Sequence, residues 1–287
     1  MTTRFNSFLL AICIWSASCL PAWAAESNVV GMVLDLQGPA QVVENGTAGK
    51  LQLLANLMPQ TRIILPPGSK ASITIYSTRS VYRLEGPSIV EATNSGLTVV
   101  SGKAPEVKSM GEKLVVAAQT NNLIPGAYRM RSLRIAPRVV LTSPETGTVL
   151  LDTRPRFTWE AAEAAPYTVS LQAESGGLSY NANVSGNSWA LPDGVQLEYG
   201  KTYDWKVTYV SPTNGETQGA TGKFSLATQA ETDQFTALKP SEADPIEDWV
   251  FYAVMLQQRQ IRAEARNVWK RIAVKRPDLE RAAELAK

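Results

Sequence analysis

The sequence predicts a mainly β protein with two β modules in series and an α-helical hairpin at the C-terminus. Three observations lead there. Between residues 28 and 100, short β-branched runs are separated by Gly, Pro and Asn turn signals about every 8–12 residues. From 141 to 228 apolar and polar residues alternate, as in Arg156-Phe157-Thr158-Trp159 and Tyr167-Thr168-Val169-Ser170-Leu171, so that alternate side chains share a face. From Asp244 the apolar period lengthens to that of a helix.

The elements follow in order. Arg4, the apolar run Phe8–Leu20, Pro21 and Ala22-Trp23-Ala24 read as a signal peptide over residues 1–24, cleaved after Ala24. The apolar run of about a dozen residues is shorter than the roughly 20 that a spanning helix needs. The expectation is therefore a periplasmic or secreted protein of the Gram-negative envelope with no integral membrane span. Lipidation at Cys19 is a lesser alternative, since Ser16 stands where a lipobox has a Leu-like residue. Both cysteines, Cys13 and Cys19, fall inside the signal, so no disulfide is expected to hold the mature fold.

In residues 28–100, Val29–Leu34, Ala40–Val43, Ile63–Leu65, Ala71–Tyr76 and Val81–Leu84 read as strands. Their order resembles the FecR domain: Gly31-x-Val33, then Gly38 and its strand, Leu51–Leu57 leading into Ile63-Ile64, then Ala71-Ser72-Ile73-Thr74-Ile75 and Tyr82-Arg83-Leu84-Glu85-Gly86-Pro87. Where that family has an Asp-Gly hairpin turn, this chain has Ser77-Thr78-Arg79-Ser80. The resemblance implies envelope signalling or binding through a protein partner.

Residues 101–140 form a basic connector carrying Lys103, Lys108, Lys113, Arg129, Arg131, Arg134 and Arg138 against Glu106 and Glu112. Arg129, Arg131 and Arg134 are candidates for an anion-facing surface, an acidic glycan being one possible ligand. A solvated connector with snorkelling side chains is the competing reading, favoured because no aromatics interleave the charge. Leu114–Ala118 reads as one further strand.

Within 141–228, Leu197-Glu198-Tyr199-Gly200-Lys201-Thr202-Tyr203 resembles the Leu-x-Pro-Gly-Thr-x-Tyr stretch of fibronectin type III domains, with Tyr199 at the proline position. The resemblance implies an Ig/fibronectin-like β-sandwich whose Tyr203 bonds to upstream backbone. Alternation puts Trp159, Tyr203 and Trp205 in the core and not on a sugar-stacking platform, while Tyr180 and Trp189 are less constrained.

Residues 229–287 hold the hairpin. Asp244 is the expected N-cap, Pro245 the first helical residue and Glu247 the capping-box partner. Trp249, Tyr252, Ala253 and Leu256, then Ala265, Trp269 and Ile272, then Pro277, resemble one tetratricopeptide repeat. One repeat leaves an apolar face without a stacking neighbour. Trp249, Tyr252, Leu256 and Trp269 are thus a candidate interaction surface, covered either by this chain or by a partner. Charge is segregated: 231–248 carries six acids and Lys239, and 259–276 carries seven bases and Glu264, which favours antiparallel pairing of the two stretches.

Composition narrows the function. A net charge of +2 argues against nucleic-acid binding. The chain has no histidine and no cysteine beyond the signal, which removes Ser-His-Asp and Cys-His catalysis and His- or thiolate-ligated metals. No Ser-x-x-Lys, Gly-x-Ser-x-Gly, phosphate-loop or EF-hand pattern occurs, and Glu160 and Glu163 read as solvated. The expectation is a non-enzymatic interaction module with no cofactor and no metal. A carbohydrate- or peptidoglycan-binding module is the alternative, with a carboxylate-based glycosidase behind it.

Overall fold

The computed structural model describes residues 29–109 and 139–287. The expected signal peptide, Leu114–Ala118 and Arg129, Arg131, Arg134 and Arg138 lie outside these described residues.

Ten strands build the first module: β1 Gly31–Gln37, β2 Gln41–Glu44, β3 Thr47–Lys50, β4 Asn56–Leu57, β5 Arg62–Leu65, β6 Lys70–Ile75, β7 Ser80–Glu85, β8 Ser88–Thr93, β9 Gly96–Gly102 and β10 Glu106–Ser109. They form two five-stranded sheets, ordered β10-β7-β6-β1-β4 and β3-β2-β5-β8-β9. Val33, Ile73, Ile75 and Leu84 from the first sheet and Ile63, Leu65 and Val90 from the second fill one core. The chain changes sheets between β7 and β8 at Gly86. A Cβ there would lie 1.8 Å from the Pro66 carbonyl oxygen, so only glycine fits. The module extends to Ser109, past the expected boundary at 100. Glu106–Ser109, placed in the connector by its charge, instead pairs with β7 through Glu106↔Arg83 and Val107↔Tyr82. The four residues from Tyr76 to Arg79 close the β6–β7 hairpin, Arg79 adopting φ 51°.

The sandwich comprises β11 Val139–Ser143, β12 Val149–Leu150, β13 Arg156–Ala161, β14 Tyr167–Ala173, β15 Ser179–Val184, β16 Ser188–Ala190, β17 Thr202–Val210 and β18 Thr217–Leu226. A three-stranded sheet, β11-β13-β16, packs on a five-stranded one, β12-β18-β17-β14-β15. This is the fibronectin type III-like arrangement expected, with short β12 added parallel to β18. Phe157, Trp159, Tyr203, Trp205 and Phe224 are fully buried between the sheets. Their rings meet edge-on or stacked, Phe157 lying 5.2 Å from Trp205 and Tyr203 lying 5.6 Å from Phe224. The Tyr203 hydroxyl accepts a hydrogen bond from the Glu198 N–H at 2.8 Å, which closes the corner before β17. Tyr180 and Trp189 are half-buried and tilted against each other, with Trp189 resting on Phe157.

Four helices follow: α1 Gln229–Leu238, α2 Ile246–Gln258, α3 Arg262–Lys275 and α4 Glu280–Leu285. The hairpin expected from periodicity is α2–α3; α1 and α4 extend it. The capping box sits on α1, where Thr228 and Glu231 bond reciprocally. At α2 the N-cap is Pro245, without a side-chain hydrogen bond, and not Asp244 as expected. The Asp244 carboxylate turns back instead to accept from the Ser241 N–H at 2.6 Å, which holds the preceding turn.

Helix α2 is buried all round. Val250, Phe251, Val254 and Met255 are covered as well as Trp249, Tyr252, Ala253 and Leu256. One hydrophobic cluster joins these residues to Met32 and Leu34 of β1, Val81 of β7 and Leu53, together with α1, α3 and α4. Val149 and Leu151 of the sandwich pack against the same cluster. The Gln260 carbonyl, aimed by a left-handed backbone at the α2–α3 turn, accepts from the Val149 N–H at 2.9 Å and the Thr148 hydroxyl at 3.0 Å. Arg266 pairs with Glu145 beside it. The helices therefore brace both β modules. Among the described residues no helix is long and apolar enough to cross a membrane.

Candidate functional site

The four aromatic and aliphatic residues proposed as an interaction surface are not exposed. Trp249, Tyr252, Leu256 and Trp269 are 3%, 4%, 0% and 0% accessible, because the first module, the sandwich and the flanking helices cover them. The physical reason is that two helices cannot shield two tryptophans from water, and this chain supplies the missing layer. Arg129, Arg131 and Arg134, the other candidates, lie outside the described residues. The basic face of α3 is also engaged. Arg259 pairs with Glu231, Lys275 and Arg271 with Glu242, and Arg276 with Asp35 and Asp278. The acidic and basic stretches meet as their segregation suggests, but they run in the same direction and not antiparallel. The intervening α2 reverses the chain once before it and once after it, which restores the original direction.

What the fold leaves open is a polar cleft of about 570 Å3 where the outer face of the first sheet meets the start of α2. Strand pairing assembles its floor. Asp35 faces Ser72, Ser72 faces Arg83 and Arg83 faces Glu106, one row across four strands. Gln37, Lys70 and Glu85 form the next row. A β-bulge between Val33 and Asp35 makes this possible. With strict alternation Leu34 and Asp35 would point to opposite faces; the extra residue turns both toward the helices. Leu34 joins the apolar cluster, and Asp35 receives Arg276 at 2.6 Å.

Two guanidinium groups anchor α2 and α3 to this face. Arg83 donates from Nε at 2.8 Å and lies 2.7 Å through Nη2 from Glu247, which is buried in the first turn of α2. The Glu247 hydrogen bond raises the Arg83 pKa further above its ordinary value. Arg276 donates to Asp35, to the Leu36 carbonyl at 2.8 Å and to both oxygens of Asp278. The Asp278 hydrogen bonds, then Asp35, raise its pKa despite the opposing effect of burial. Lys70 and Lys103 share the single Glu85 carboxylate, at 2.9 and 3.4 Å, and hold its pKa below the usual carboxylate range. The acidic first turn of α2, Glu247 and Asp248, thus serves both its own helix dipole and these cross-module pairs.

Sequence reasoning did not single out these residues, although part of the signal was present. Alternation groups Lys70 with Ser72 and Arg83 with Glu85 on one face, but the pairing of Lys70 with Glu85 and Ser72 with Arg83 is set by the turn falling at Tyr76–Arg79, one residue earlier than the expected Ser77–Ser80. The partners from Glu247 and Arg276 come from 164 and 241 residues away and carry no local signal. Glu160 lies exposed on β13, and Glu163 accepts from the Thr213 hydroxyl at 2.9 Å. Among the described residues no cluster of three or more carboxylates is placed to hold a metal ion.

No protein-family model matches the sequence, and no curated protein matches it. Solved structures similar to part of the chain include the fn3 domain of the human collagen alpha-1(XX) chain, at 19% identity over 42% of this chain and 96% of that one, TM-score 0.25. A two-domain fibronectin type III segment of chicken tenascin is similar at 13% identity over 64% of this chain and 81% of that one, TM-score 0.20.

Proposed function

We propose that the chain is a non-enzymatic interaction module of the Gram-negative cell envelope, its two β modules held in one unit by a tetratricopeptide-like brace. The observation that carries this reading is the burial of α2 on every side. The helical segment serves as scaffold, and recognition falls to polar surfaces of the β modules such as the cleft. The FecR-like strand order of the first module supports envelope binding or signalling through a protein partner. The apolar run and Ala22-Trp23-Ala24 motif support export. Less supports the alternatives. Trp159, Tyr203 and Trp205 pack inside the sandwich and not as a sugar platform. The buried carboxylates of the cleft, Asp35 and Glu247, are each tied up in an ion pair with an arginine that docks the helices, Arg276 and Arg83 respectively.

Fractionation of cells expressing the tagged chain, with N-terminal sequencing, tests the proposal. Recovery from the periplasm beginning at Ala25 is expected. Intact Met1 in the cytosol refutes export, and release of reducing ends from peptidoglycan by the purified protein refutes the non-enzymatic reading.

A further inference from the structure

Each of the four sheets ends in two edge strands, and all but one of these edges are blunted among the described residues. Strands β4 and β12 are two residues long and β16 three. Strands β3 and β10 have four residues each and carry Lys50 and Lys108. Strand β9 bulges at Val100, skipped between the Val90–Val99 and Ile89–Ser101 pairs, and β11 bulges at Thr142, between Leu141–Trp159 and Ser143–Thr158. Short length, charge and bulges keep an edge from pairing with another chain. Strand β15 has none of these. Its six residues, Ser179–Val184, include no charge and no proline, and they pair with β14 in unbroken register from Gln172↔Ser179 to Tyr167↔Val184. The described residues place no strand on its far side. The Ala173 N–H donates to the Leu178 carbonyl at 2.9 Å where the β14–β15 hairpin begins. Alternation from that pair turns the N–H and C=O of Tyr180, Ala182 and Val184 toward β14, and those of Ser179, Asn181 and Asn183 toward the open edge. The last three residues are exposed, while Leu178, Tyr180 and Val184 are half-buried at the rim of the sandwich core, beside Trp189.

We propose that β15 joins two copies of this chain, the second copy laying its own β15 antiparallel along the first, about a two-fold axis through Asn181. In that register the strand is complementary to itself. Asn181 faces its counterpart and Ser179 faces the second copy's Asn183, so every outward backbone group of both strands finds a partner, each bonded pair exchanging two N–H···O bonds. The side chains that meet on the outer face are Asn with Asn and Ser with Asn, which both donate and accept. On the inner face Leu178 meets the second copy's Val184 and Tyr180 meets its Ala182, which extends the cover over apolar surface that one copy leaves half-exposed. No charge meets its like in either row. The two five-stranded sheets become one continuous sheet across the axis. A single strand edge lies at the small end of interface sizes, so the dimer is reversible and depends on concentration. The inference goes beyond the envelope reading and does not depend on it.

Sedimentation equilibrium of the chain from Ala25, over a wide range of concentration, tests it. The mass is expected to rise from one chain toward two. Asn181→Lys sets like charges against each other on the axis and should weaken association about tenfold or more, while its exposed position leaves the thermal melt of the dilute chain in place. Thr217→Lys, exposed on β18 away from this edge, should leave association unchanged. No cysteine follows Cys19, so Asn181→Cys supplies the only thiol of the chain from Ala25. The axis brings its Cα to about 5.5 Å from its counterpart, inside disulfide range, and mild oxidation should yield a covalent dimer that Thr217→Cys does not form. A chain that stays monomeric throughout, association untouched by Asn181→Lys, or cross-linking of Thr217→Cys as readily as Asn181→Cys overturns the proposal. Protection of the Asn181 amide from hydrogen exchange only after a different protein is added assigns the edge to a foreign strand and overturns it as well.

Discussion

Replacing Arg276 by methionine isolates the contact that ties the end of α3 to the first β module. Its guanidinium donates to Asp35 at 2.6 Å, to the Leu36 carbonyl at 2.8 Å and to Asp278 at 2.7 and 2.9 Å, and its side chain is only 17% exposed. Methionine keeps most of the aliphatic packing and removes every donor. The Asp35 carboxylate, 10% exposed, then keeps only its bonds from the Leu36 N–H at 2.8 Å and the Gln37 amide at 3.5 Å. Leaving one member of a buried pair uncompensated costs about 3–5 kcal/mol, and the retained Leu36 bond puts the expectation at the lower end, about 3 kcal/mol. Asp35→Asn is milder, about 1–3 kcal/mol, since Arg276 keeps Asp278 and the Leu36 carbonyl. The double variant removes the stranded charge and should cost less than the two singles together, with a coupling of about 1–3 kcal/mol. Urea unfolding followed by fluorescence reads all three, because Trp249 and Trp269 sit in the helical cluster. Arg276→Met within 0.5 kcal/mol of wild type, or strict additivity of the singles, would refute the buried-pair reasoning and reduce the contact to surface strength, roughly 0–1 kcal/mol.

Three further outcomes follow from the same structure. Trp269→Ala, at a fully buried position, should cost about 3–5 kcal/mol in the urea titration, and a loss below 1 kcal/mol would contradict its place in the core. Tyr203→Phe leaves the Glu198 N–H without its acceptor and should lower stability by about 1–3 kcal/mol; an unchanged denaturant midpoint would remove Tyr203 from the corner role. The Glu264 carboxyl is raised above its ordinary value by burial, with the charge of Asp152 adding to it, and one of its oxygens has no hydrogen-bond partner; the Tyr252 phenol also feels its charge, burial and Glu264 together raising that group to about 12. A carboxyl raised in the folded state binds its proton more tightly there, so its stabilising contribution is complete below the unfolded value of about 4.3 and is lost as pH rises through the folded value. Glu264→Gln should therefore raise the melting temperature at neutral pH and leave it unchanged below about pH 4; the reverse pattern would show that the carboxylate is stabilised in place.

Local rules were enough for the strand faces, the sandwich corner and the existence of the helical hairpin. The alternation in Phe157-x-Trp159 and Tyr203-x-Trp205-x-Val207 placed those side chains in the sandwich core, because a strand exposes one face per two residues. The spacing from Leu197 to Tyr203 was sufficient to expect the corner hydrogen bond to upstream backbone. Helical periodicity found α2 and α3, and the sequence Trp249-Val250-Phe251-Tyr252-Ala253-Val254-Met255-Leu256, apolar around the whole helix, carried an unread signal of burial on all sides. The helix start was misplaced by one residue since Asp244 had two possible backbone partners, and only the fold chose Ser241. Tertiary structure alone decided what covers the hairpin and where the cleft lies. Both rest on contacts such as Arg83 with Glu247 and Arg276 with Asp35, made across more than 160 residues of sequence. Asp35 reaches its arginine only because one extra residue in β1 reverses its face. A bulge is a property of the paired strands, so a single strand read by itself does not contain it.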